Sequence, residues 1–125
     1  MRNDRIQAIQ YFAGPLNLNR KTKQATTVTG IELKLDTDEF NALDILAAQE
    51  GEIITFERLY EAVWNVGNGS RGRCAALTKL EKLMVILIRK VDETGEGLMW
   101  IEYKPETGYC FQTSWKRKRQ KLSKV

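Results

Sequence analysis

A chain of 125 residues with 42% hydrophobic content has room for one globular domain, whose single core needs neither metal nor disulfide support. With no histidine and only two cysteines, Cys74 and Cys110, it can assemble neither a zinc site nor a cysteine–histidine catalytic pair, and both thiols read as small buried side chains. The net charge of +4 and the pI near 9.1 overstate the basicity of the body. Six basic residues (Lys116, Arg117, Lys118, Arg119, Lys121 and Lys124) fall in the last ten positions, and setting them aside leaves 14 basic and 16 acidic residues.

Residues 6 to 35 have strand character broken by turn chemistry. Tyr11-Phe12 precede Gly14-Pro15, Leu16 and Leu18 alternate with asparagines, and Thr26-Thr27-Val28 lead through Gly30 to Ile31, Leu33 and Leu35 at period two. Three or four antiparallel strands are expected there. At Asp36 the period changes: Asp36 and Glu39 form a capping box, and Phe40, Leu43, Leu46 and Ala47 recur at helical spacing until Gly51 stops the helix.

After the short apolar pair Ile53-Ile54, Thr55 is a good N-cap for a second helix carrying Phe56, Leu59 and Val63 on one face. Asn65-Val-Gly-Asn-Gly-Ser ends it. A third helix is predicted from about 70 to 93, with Leu77, Leu80, Met84, Leu87 and Val91 as its buried stripe and Ala75, Lys79, Lys82, Ile86 and Arg89 on the opposite side. From Arg71 to Lys90 there are six basic residues against one acid, Glu81. Leu83, Val85, Ile86 and Ile88 cannot all face the core, because with Met84 and Leu87 they encircle the helix. Some of them must therefore be exposed, where an isoleucine can touch a thymine methyl or a patch can meet a protein partner.

Trp100-Ile-Glu-Tyr-Lys-Pro-Glu-Thr-Gly-Tyr-Cys-Phe111 reads as a β-hairpin within a wing over about 98–113. Pro105 pre-sets φ at the first corner of a type I turn, and Gly108 is expected to take the positive φ that closes it with a bulge. Trp64, Trp100, Tyr109 and Phe111 are expected in the core.

These residues resemble the C-terminal effector domain of OmpR/PhoB-type response regulators over roughly residues 11 to 113. Leu16 to Arg20 followed by Gly30 is similar to that family's N-terminal sheet, and Leu35 with Glu39-Phe40 to the start of its first helix. Gly51-Glu-Ile-Ile-Thr-Phe-Glu-Arg-Leu-Tyr-Glu-Ala-Val-Trp64 is similar to its second-helix signature, and Ile101 with Gly108-Tyr109 to its wing. The resemblance implies an α+β fold, a winged helix-turn-helix with an N-terminal antiparallel sheet, three helices and a C-terminal β-hairpin wing. It further implies DNA binding and transcription control, with helix three in the major groove and the wing on the backbone or minor groove. Two departures stand out: Ile86 falls where the family commonly places an arginine, and Lys104-Pro105-Glu106 replaces Val-Arg-Gly at the wing tip.

The expected domain covers 1–115, followed by a basic tail over 116–125 expected to be disordered. The DNA contacts expected are Arg71, Arg73, Lys79, Lys82, Ile86, Arg89 and Lys104. The alternative is a protein-interaction or dimerisation module using the apolar surface of helix three. Neither a G-x-x-x-x-G-K phosphate loop nor a recognisable acid pair is present, so no enzyme activity, cofactor, metal or small-molecule ligand is expected. The longest apolar run, Leu83 to Ile88, is six residues against the roughly 20 that span a bilayer. Double-stranded DNA is thus the expected partner, homodimerisation on paired half-sites is compatible with the fold, and a cytoplasmic protein with no fused receiver or sensor domain is the simplest expectation.

Overall fold

The computed structural model describes residues 8–64, 73–95 and 97–114, with side chains of the third helix described from Leu77 to Thr94. Strands β1 (Gln10–Ala13), β2 (Leu16–Asn19), β3 (Gln24–Thr27) and β4 (Glu32–Leu33) form an antiparallel sheet in chain order. Helix α1 (Thr37–Ala48), strand β5 (Ile53–Thr55), helices α2 (Phe56–Trp64) and α3 (Arg73–Gly95), and strands β6 (Met99–Lys104) and β7 (Gly108–Thr113) follow. The last three strands make a second sheet in the order β5-β7-β6. Four N-terminal strands, three helices and a C-terminal hairpin are the winged-helix architecture expected from the sequence.

Period-two alternation builds the first sheet. Leu16, Leu18, Ala25 and Leu33 point inward, and Gln10, Asn17, Asn19 and Thr26 point outward. Gly14 has φ of +60° at the first corner of the two-residue turn between β1 and β2, as a type II′ hairpin requires. Asn19 folds the next turn by accepting from the amides of Lys21 and Thr22 at 3.0 and 3.1 Å.

The capping box expected at α1 is complete. The Asp36 side chain accepts from the Glu39 amide at 2.9 Å, and the Glu39 carboxylate accepts from the Asp36 amide at 3.2 Å. Glu39 is itself buried and receives Lys90 Nζ at 2.7 Å. Lys90 also donates to the Lys34 carbonyl at 2.7 Å. One member of the basic run on α3 therefore joins α3 to the start of α1. Thr55 caps α2 as expected, accepting from the Arg58 amide at 3.2 Å.

Phe40, Leu43, Leu46 and Ala47 of α1 meet Leu80, Met84, Leu87 and Val91 of α3, with Ile54, Leu59, Met99, Ile101 and Phe111 closing the core. Burial of each large side chain contributes about 2 kcal/mol. Leu77 is only half-buried, at the rim of the stripe that begins with Leu80. Tyr109, Phe111 and Cys110 are buried as expected, whereas Trp64 and Trp100 are half-buried at its edge. Cys74 and the basic tail lie outside the described side chains.

The wing turn differs from the type I turn expected. The Thr107 amide donates to the Lys104 carbonyl at 3.0 Å, and the positive φ of 65° falls on Glu106, not Gly108. With Pro105 at the first corner this is the pattern of a type II turn. Gly108 is needed for another reason: a Cβ there would lie 1.9 Å from the Ile54 carbonyl oxygen and 2.8 Å from Thr55 Cα. The close approach of β5 to β7 excludes any side chain at that position.

A polar knot joins the first sheet to α1. Tyr11 donates its hydroxyl to the Asp44 carbonyl at 3.0 Å and to the Asp44 carboxylate, and Arg20 Nε donates to the same carboxylate at 2.9 Å. The Arg20 guanidinium also stacks 4.7 Å from the centroid of the Tyr11 ring.

Gly108→Ala is expected to lower the unfolding free energy by about 3 kcal/mol, because backbone must move. Urea denaturation measures it, and a loss under about 1 kcal/mol would mean that β5 yields freely. Asp44→Ala removes the carboxylate that the Tyr11 hydroxyl and Arg20 Nε share, leaving each residue a backbone carbonyl acceptor, with an expected loss of about 2 kcal/mol. A variant as stable as the parent would mean that the knot adds nothing net.

Candidate nucleic-acid interface

A helix seated by residues at three- and four-residue spacing turns its other side outward. In α3 the buried stripe is Leu80, Met84, Leu87 and Val91, so Thr78, Lys79, Lys82, Val85, Ile86 and Arg89 face solvent. Among the apolar residues that encircle the helix, Leu83 and Ile88 are half-buried and pack against the core. Val85 and Ile86 do not: they are 52% and 44% exposed. The expected crowding of apolar residues is thus resolved unequally, with two turned in and two left out.

The expected contact residues divide into three groups. Lys79, Lys82, Ile86 and Arg89 share the exposed face of α3, and neither Lys82 nor Arg89 has an ion-pair partner among the described residues. Lys79 Nζ sits 4.6 Å from the centroid of the Trp64 ring, which steadies its stem beside α2 while leaving it exposed. Lys104 stands apart on the wing and is engaged: its Nζ lies 2.9 Å from Glu102 Oε1. That hydrogen bond raises the Lys104 pKa and lowers that of Glu102, whose carboxylate also accepts from Trp100 Nε1 at 3.1 Å. Arg71 lies outside the described residues, and Arg73 opens α3 with its side chain outside them.

A groove of about 210 Å³ separates α3 from the wing, lined by Phe56, Leu77, Leu80, Glu81, Tyr103 and Tyr109. The rings of Phe56, Tyr103 and Tyr109 contact one another with centroids 5.4 to 6.3 Å apart and hold the wing against the two helices. Tyr103 is 56% exposed. It is in phase with buried Met99 and Ile101 but stands at the outer end of β6, and nothing in the alternation marks that departure. Glu81 lies on the wing side of α3, away from the Lys82–Arg89 line. No described helix is long and apolar enough to cross a membrane, and no group of three acidic or sulfur ligands fit for a metal ion occurs among the described residues.

Burial pushes the Tyr109 phenol up to about 12, with the Glu81 carboxylate and then Tyr103 adding to the rise. The folded value exceeds that of a free tyrosine, about 10, so the neutral phenol stabilises the fold fully below pH ~10 and this contribution is lost as pH climbs toward ~12. Chemical denaturation at pH 9 and 11 should show a smaller loss for Tyr109→Phe than for the parent. Equal losses would place the alkaline sensitivity elsewhere.

The architecture is shared with solved DNA-binding domains of response regulators. Similar structures include the DNA-binding domain of CpxR from E. coli, at TM-score 0.68 and 22% identity over 85% of this chain and 98% of that one. The Klebsiella pneumoniae RstA DNA-binding domain, solved in complex with the RstA box, matches at TM-score 0.65 and 20% identity over 84% of this chain and 98% of its own. The Thermotoga maritima response regulator DrrB, an OmpR/PhoB homolog, matches at TM-score 0.65 and 19% identity over 87% of this chain and 46% of that longer one. No protein-family model and no curated protein matches the sequence. At these identities the likeness shows a common winged-helix fold, as the resemblance in the sequence implied.

Proposed function

We propose that this domain binds double-stranded DNA as a transcriptional regulator, laying α3 in the major groove and the β6–β7 wing along the backbone or minor groove. The observation that carries this reading is the exposed face of α3. There Lys79, Lys82 and Arg89 stand in line on a helix of the fold that, in RstA, was solved in complex with the RstA box. Lys82 and Arg89 have no intramolecular partner to give up among the described residues, so a phosphate or a guanine edge is their natural acceptor. Arg73, the first residue of α3, and Arg71, two positions before it in the sequence, would add phosphate contacts where the helix N-terminus favours an anion.

Lys104 contributes less in this reading than its place on the wing suggests. A phosphate must first compete with Glu102, and Glu106 at the tip repels it. The protein-interaction alternative is weaker for a geometric reason. Leu83 and Ile88 turn toward the core, leaving Val85 and Ile86 as the exposed apolar side chains of α3 among the described residues, a smaller patch than a standard interface of about 800 Å² per partner.

The 125-residue chain, offered a random duplex pool at two salt concentrations, should recover a reproducible sequence. Lys82→Ala with Arg89→Ala should weaken binding to every duplex alike and shallow the salt dependence by about two in the slope of log affinity against log salt, if both side chains meet phosphates. Unchanged affinity and an unchanged salt slope in the double variant would remove α3 from the interface.

A further inference from the structure

Lys82, Val85, Ile86 and Arg89 are separated by three and four residues, so on the helix surface each neighbours the next. They form a diamond at the centre of the exposed face of α3, with a cation at each end and a β-branched apolar side chain at each side. Val85 and Ile86 are 52% and 44% exposed. Folding alone gives no reason for them: β-branched residues have lower helix propensity than the Glu, Lys or Gln that would serve an exposed site, and their apolar surface stays in water. Their stiffness suits recognition, because a valine or isoleucine held in one rotamer loses little entropy when a ligand packs on it.

We propose that Val85 and Ile86 are the specificity-determining residues of this domain and that they read the 5-methyl groups of thymine in the major groove. The inference rests on the DNA-binding reading and adds the base chemistry to it. The flanking charges choose the occupant. Lys82 and Arg89 at the ends of the diamond, with Lys79 a turn away, suit a polyanion, and the acids of the described helix stand outside the diamond, Glu81 on the wing side and Asp92 and Glu93 a turn beyond Arg89. In the major groove the thymine methyl is the one apolar feature among donors and acceptors. Two side chains match one or two methyls. The apolar pair would therefore supply selectivity, and the cations affinity.

The test takes the duplex recovered from the random pool and resynthesises it with deoxyuridine in place of thymidine, first throughout and then at single positions. This removes the methyl while leaving every Watson–Crick and groove hydrogen-bonding group. The 125-residue chain should lose about four-fold in affinity for each contacted methyl, roughly fifteen-fold for two. Val85→Ala with Ile86→Ala should bind the thymine and uracil duplexes with affinities equal to each other. Because both residues are exposed and alanine is the better helix former, the variant should unfold at or above the temperature of the parent, which thermal denaturation verifies. Parent protein that binds the two duplexes equally overturns the methyl reading and leaves DNA binding standing. Failure to select any duplex at all overturns both.

Discussion

The rotation of α3 about its own axis decides what this domain presents to its surroundings. Leu80, Met84, Leu87 and Val91 set it by seating one stripe in the core, and a turn by one residue, about 100°, would drive Lys79 or Ile86 inward and carry Leu80 out to solvent. The Glu39–Lys90 pair reinforces that seating. Glu39 is fixed by the capping box of α1, and Lys90 reaches it from the flank of α3 at 2.7 Å. A residue that looks in the sequence like part of a basic DNA-facing run is thereby the peg that aims the rest of the run outward.

The division of charge between helix and wing follows from local pairing. On α3 the cations at the centre of the exposed face are unpaired among the described residues, whereas on the wing Lys104 leans on Glu102 two residues away on the same side of β6. Alternation places 102 and 104 on one face of a strand, so this pairing is dictated by the period of the strand itself. The Pro105-Glu106 tip then adds an acid where a phosphate would approach. Binding driven by such a surface would draw most of its electrostatic attraction from the helix, and the wing would act chiefly as a shaped support held by Phe56, Tyr103 and Tyr109.

Much of this was legible in the sequence, and the reasons differ from element to element. The capping box at Asp36 and Glu39, the N-cap at Thr55 and the alternation of Leu16 with Leu18 are local signals, carried by residues that act on backbone within a few positions. The roles of Lys90, Arg20, Asp44 and Tyr11 were not legible, because the links of Lys90 to Glu39 and Lys34, and of Asp44 to Arg20 and Tyr11, span 24 to 56 positions. Gly108 shows a subtler limit: a glycine required by positive φ and one required by close approach look alike in a sequence. Only the register that sets Thr55 opposite Gly108 separates them. Likewise a helix apolar on all sides announces that something is exposed, but the neighbours of Leu83 and Ile88 decide that it is Val85 and Ile86.

The pairing of β5 with β7 has a consequence for how the domain comes together. Ile54 and Tyr109 face each other across the sheet although they are 55 positions apart in the chain, and α2 and α3 lie in the excursion between them. Helices and the β6–β7 hairpin can form from near neighbours, but this three-residue seam cannot close until the intervening chain has folded back, at an entropic cost that grows with the length of the loop. The seam is therefore expected to be among the late events of folding, and its opening would loosen the helix pair and the hairpin together rather than one at a time.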